Sequence, residues 1–167
     1  MEDYIEQLGA LALASRQRRL IDRLTVDGVR VYRNLGFDFE VRWFTIFHLL
    51  GTRSSMTVTE IAHVLRLAHP SVIETTDEMV RRGVLVSQRD DADRRRRNLT
   101  LSRKGQALAR KLEPVWEAFR QAAEEIFSEA GCDFLEAIKK METALDSKGL
   151  YERIADRLSD TKESENK

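Results

Sequence analysis

Between residues 89 and 104 the chain carries Arg89, Arg94, Arg95, Arg96, Arg97, Arg103 and Lys104 against Asp90, Asp91 and Asp93, a net of +4. Guanidinium groups at this density neutralise phosphates, and one held at a hairpin tip can enter a narrow minor groove, where negative potential is enhanced. A little earlier, the run His69-Pro70-Ser71-Val72-Ile73-Glu74-Thr75 offers short polar side chains and a carboxylate. Hydroxyls bond to base edges of either kind, and Glu accepts from a cytosine amine. Each stretch has a bland alternative: an arginine run is often a solvated turn, and two adjacent amphipathic helices are often mere core. The candidate major-groove residues are His69, Ser71, Val72, Glu74 and Thr75. Those for a wing and phosphates are Arg89, Asp93, Arg94, Arg95, Arg96 and Arg97, with the aspartates pairing with arginines to hold the hairpin's shape.

These residues need elements to position them. Thr57 stands three residues before Glu60, a capping box opening a helix over 57–65 whose inner face is Val58, Ile61, Ala62 and Leu65. After the turn at 66–69, Pro70 suits the first turn of a second helix, 70–82, with Val72, Ile73, Thr76, Met79 and Val80 inward and Gly83 as its stop. Residues 84–89 and 98–101 read as two strands around the charged tip. Helix, short turn, helix, hairpin is a winged helix-turn-helix, whose second helix can lie in the major groove. Upstream, apolar spacing predicts a helix over 4–24 interrupted at Asp27-Gly28, and a buried helix over 39–50 ended by Gly51. Downstream it predicts a long helix from Ser102 to about Ala130, kinked at most near Pro114, and a last helix over 133–158 weakened at Gly149. The polar tail 159–167 reads as disordered.

The 28 Lys/Arg and 28 Asp/Glu cancel over the 167 residues, so the chain as a whole is no polyanion binder. The balance is uneven: residues 60–105 hold 10 basic and 7 acidic side chains, and 106–167 hold 10 and 14. A local basic stripe is the footprint of a nucleic-acid binder. Cys132 has no partner for an intramolecular disulfide, which fits a reducing cytosol. The acidic start MEDYIEQLG differs from a secretory signal, and no apolar run approaches a membrane span. The expected location is the cytoplasm. No phosphate loop, metal-ligand spacing or activated nucleophile stands out, and His48, His63 and His69 are scattered, so neither enzyme activity nor a cofactor or metal is expected.

The chain resembles the MarR family of transcription regulators. Three stretches carry the resemblance: Thr57–Leu65 (TVTEIAHVL), Met79–Leu85 (MVRRGVL), and Asp91-Ala92-Asp93-Arg94-Arg95 followed by Leu99-Thr100-Leu101-Ser102 and Gly105. The last is the most specific and is similar to the family's wing pattern. The resemblance implies a mainly helical fold with a small β-hairpin wing and long terminal dimerisation helices. It also implies a homodimer on duplex DNA, and a wing pair of Asp93 and Arg95 with Arg95 in the minor groove. Where many members carry Thr-Arg, this chain has Ile73-Glu74, and its His69-Pro70-Ser71-Val72 run is similar to a subgroup's.

The expected organisation is 1–36 for dimerisation, 37–104 for DNA binding, 105–158 for dimerisation and 159–167 as tail. Apolar faces on the terminal helices need partners, and a second copy supplies them. Trp43, Phe44, Phe47, His48, Trp116 and Phe119 are candidates for lining a small-molecule effector pocket, against the alternative of ordinary core packing. The expected function is a homodimeric repressor released by such an effector. Two readings compete with it: a winged helix used only for protein contacts, and a thiol sensor at Cys132, for which Asp133 is a poor neighbour because it disfavours the thiolate.

Overall fold

The computed structural model describes residues 3–89 and 97–165, with side chains through residue 160 apart from that of Arg89. The elements are α1 (Tyr4–Gln7), α2 (Leu13–Asn34), α3 (Phe44–Thr52), β1 (Met56–Thr57), α4 (Val58–Leu65), α5 (His69–Arg81), β2 (Leu85–Arg89), β3 (Arg97–Leu101), α6 (Arg103–Ala130), α7 (Phe134–Ser147) and α8 (Leu150–Glu165). Two single 3-10 turns, Gly9–Ala12 and Val41–Trp43, precede α2 and α3. The chain divides into two compact units, residues 1–112 and 113–167.

The first unit is built on aromatic packing. Phe39 sits at its centre, edge-on to Tyr32, Trp43 and Phe47 at centroid distances of 5.0, 5.7 and 5.2 Å. Edge-to-face geometry sets the positive rim of one ring against the negative face of the next. Ile46, Leu50, Ile61, Val72, Met79, Val84, Leu85, Leu99 and Leu112 complete the core. The sheet is antiparallel in the order β1-β3-β2, with Met56 opposite Leu99 and Leu85 opposite Leu101. Leu99 and Leu101 turn inward at the two-residue period of a half-buried strand.

Several sequence expectations are corrected. Asp27-Gly28 does not interrupt α2; Gly28 is buried, and a Cβ there would stand 3.2 Å from Val41 Cγ2, so the missing side chain serves close packing. The break falls earlier, at Gly9 with φ +53°. Gly51 lies inside α3, which runs to Thr52. The strand β1, too short to show a pattern, was not expected.

In the second unit, the region 133–158 is two helices rather than one. Asp133 caps α7 by accepting from Glu136 N at 2.9 Å. At its other end, Arg153 of α8 donates to the carbonyls of Ala144 and Lys148, both at 2.8 Å. A cation on terminal carbonyls satisfies groups that the helix leaves unbonded. The helix α8 continues to Glu165, well into the segment expected to be disordered. Ile126, Leu135, Leu145, Leu150, Tyr151, Ile154 and Leu158 are exposed in the single chain.

Candidate nucleic-acid interface

The capping box forms as the spacing predicts: Thr57 Oγ1 accepts from Glu60 N at 3.2 Å, and Thr57 N donates to Glu60 Oε2 at 2.7 Å. The helix α4 ends on Arg66 in the left-handed conformation, φ 51°, and Leu67 N donates to Ala62 O at 3.0 Å. This left-handed residue turns the chain into α5, where Pro70 occupies the first turn at little cost because amides there have no intrahelical acceptor.

Within α5 the inner face is Val72, Thr76 and Met79, and the hydroxyl of Thr76 returns to Val72 O at 2.8 Å. Val72, named above as a groove residue, is fully buried and packs α5 onto the core. Ile73, expected to face inward, is instead 40% exposed. His69, Ser71 and Glu74 are exposed and Thr75 half-buried, so these four named residues stay accessible at the start of one helix.

The other side of α5 is held by a contact that the sequence did not signal. Arg42, on the 3-10 turn before α3, pairs with Glu74 at 3.4 Å and with Glu78. Trp43 Nε1 donates to Glu78 Oε2 at 3.3 Å. Glu74 therefore presents its carboxylate beside a cation, and Glu78 anchors the helix to the aromatic core. An Arg 32 residues from its partner leaves no local pattern in a sequence.

The wing rises from β2 and β3. Arg97 of β3 is exposed and pairs with Asp77 of α5 at 3.4 Å, tying the hairpin base to that helix. Arg89 ends β2; Asp93, Arg94, Arg95 and Arg96 lie outside the described residues. Behind the wing, Ser102 Oγ donates to Gly83 O at 2.7 Å and accepts from Gly105 N at 2.9 Å, while Lys104 Nζ donates to Arg82 O at 2.8 Å. A Cβ on Gly105 would fall 2.1 Å from Val84 O. The Leu-Ser-x-x-Gly stretch after the wing is thus a structural clasp joining the C-terminal end of α5 to the start of α6.

The six candidate pocket residues are in different settings. Trp43 and Phe47 are fully buried in the core, Phe44 and His48 form an exposed ring pair on α3 at 5.6 Å, and Trp116 and Phe119 are half-buried on α6. Cys132 is exposed. Among the described residues no helix is long and apolar enough to cross a membrane.

The MarR family model matches residues 37–96. Among solved structures, the fold is similar to the S. aureus MepR–DNA complex, at 18% identity and TM-score 0.68, covering 80% of this chain and 98% of that one. It is similar to a mutant MarR from E. coli complexed with operator DNA, at 14% identity and TM-score 0.63, covering 86% and 99%. It is also similar to Bordetella bronchiseptica BpsR, in a study of how 6-hydroxynicotinic acid regulates its DNA binding, at 19% identity and TM-score 0.52, covering 79% and 98%. No curated protein matches in sequence. The MarR family model thus falls on the winged helix-turn-helix of this chain, and the fold is similar to that of MarR regulators solved on DNA.

Proposed function

We propose that the protein is a homodimeric, sequence-specific duplex-DNA-binding transcription repressor acting in the cytoplasm and released by a small-molecule effector. One observation carries the DNA-binding reading: α5 exposes His69, Ser71 and Glu74 at its start beside a hairpin whose base arginine, Arg97, is exposed and tied to that same helix. Ser71, His69, Glu74 and Thr75 meet base edges in the major groove. Arg89, Arg94, Arg96 and Arg97 meet phosphates, and Arg95, beside Asp93, enters the minor groove. The relatives solved on DNA, and the one regulated by 6-hydroxynicotinic acid, support this reading.

Dimerisation is assigned to 1–36 and 105–158, where Leu11, Ile21, Leu24, Leu135, Leu150 and Leu158 are exposed in the single chain and need cover. Two reading helices related by a two-fold axis then meet half-sites about one helical turn apart. The exposed pair Phe44–His48 on α3 is where an aromatic effector is expected to bind. The rival reading, a winged helix for protein contacts only, is separated by a gel shift on total genomic fragments at low salt. Retarded fragments support DNA binding, and their absence at every protein concentration supports the rival.

A further inference from the structure

The outward face of a reading helix is ordinarily polar, yet α5 carries a branched apolar side chain there. Ile73 is 40% exposed, flanked one turn back by His69 and one turn on by Asp77. It opens into a cleft of about 410 Å³ lined also by Thr57, Val58, Thr59 and Arg97. The polar groups around this cleft are engaged with one another: Thr59 Oγ1 lies 3.4 Å from His69 Nε2, and Arg97 is ion-paired with Asp77. The contact that Ile73 offers an occupant is therefore an apolar one.

Given the DNA-binding reading, on which this rests, we infer that Ile73 determines specificity by packing on the 5-methyl group of a thymine in each half-site. Base edges in the major groove present donors and acceptors, and the one apolar group among the four bases is that methyl. Ile73 lies one turn after His69 on the same flank of α5, so it meets the groove that His69 is proposed to face. Cytosine at this position leaves the isoleucine against a polar amine, and 5-methylcytosine restores part of the contact.

The test begins by selecting preferred duplexes from a random pool with the full-length protein. Each dT of the selected site is then replaced singly by deoxyuridine, which removes the methyl and keeps every hydrogen-bonding group. Affinities are measured for the wild type, Ile73→Ala and Ile73→Val. The expected result is one dT per half-site at which loss of the methyl weakens the wild type about fourfold, the value of burying roughly one methyl. Ile73→Ala binds the dT duplex about as weakly and is indifferent to uridine there, whereas Ile73→Val keeps most of the sensitivity. Wild-type indifference to uridine at every position, or undiminished sensitivity in Ile73→Ala, overturns the inference while leaving DNA binding intact. A pool that yields no preferred duplex, even at low salt, overturns the inference together with the reading beneath it.

Discussion

Glu74 is an acid on a surface proposed to meet a polyanion, and Arg42 is what makes that tolerable. The pair at 3.4 Å offsets part of the repulsion while leaving the carboxylate, 74% exposed, free to accept from a cytosine amine. Glu74→Ala and Ser71→Ala are each expected to weaken operator binding by about 1–3 kcal/mol and to leave a scrambled duplex almost unchanged. Arg97→Ala and Arg95→Ala are expected to weaken both duplexes alike and to reduce the slope of log affinity against log salt by about one. Fluorescence anisotropy on the two duplexes at two salt concentrations separates these patterns. Equal losses on both duplexes for Ser71→Ala would place the reading face elsewhere. At this scale the sequence was half legible. Neighbouring helical residues point about 100° apart, so Val72 and Ile73 cannot both face the same core, and their apolar character alone does not say which one does. The decision is made by how α5 packs in the folded chain, which leaves no local mark in the sequence. For the same reason Arg42 went unnoticed, whereas Thr57 and Glu60, three residues apart, were plain.

Helices and strands are held here by a few contacts with definite costs. Gly105→Ala drives a methyl against the backbone carbonyl of Val84, a group that cannot swing aside as a side-chain end would. It is expected to destabilise by about 1–3 kcal/mol, seen as a lower Tm, with Ser102→Ala less severe because it loses hydrogen bonds without a clash. Thr57→Ala removes the cap on α4 and is expected to cost about 1 kcal/mol. On α6, the hydrogen bond from Arg120 holds the Glu117 carboxyl down at about 2, with Gln121 assisting. A carboxyl depressed in the folded state adds stability above its unfolded value of about 4.3, and that stability is lost as pH falls towards 2. An NMR titration is expected to show Glu117 ionising near 2 in the wild type and nearer the usual value in Arg120→Ala. The helices α4, α5 and α6 were legible because their apolar positions recur at helical spacing, whereas α2 was read over 4–24 with a break at Asp27-Gly28 that it does not have. The strand β1 has two residues and no period, and the break between α7 and α8 rests on Gly149 and on Arg153 reaching back to α7, neither of which dominates a periodic window.

The whole molecule pairs a neutral sum with a divided charge, the basic excess gathered around the wing and the acidic excess in 106–167. Such a division directs a phosphate backbone to one part of the chain and away from another. Sedimentation equilibrium at micromolar concentration is expected to give twice the chain mass of 19.3 kDa, and removal of residues 133–167 to yield a weakly binding or insoluble protein. A monomer mass throughout that range would contradict the assignment of the exposed apolar faces to a second copy. The most direct test of the central claim is the binding of purified full-length protein to genomic duplex fragments across a salt series. Salt-dependent retention of particular fragments, with log affinity falling linearly against log salt, is the predicted result. Failure to bind any fragment at low salt would contradict it.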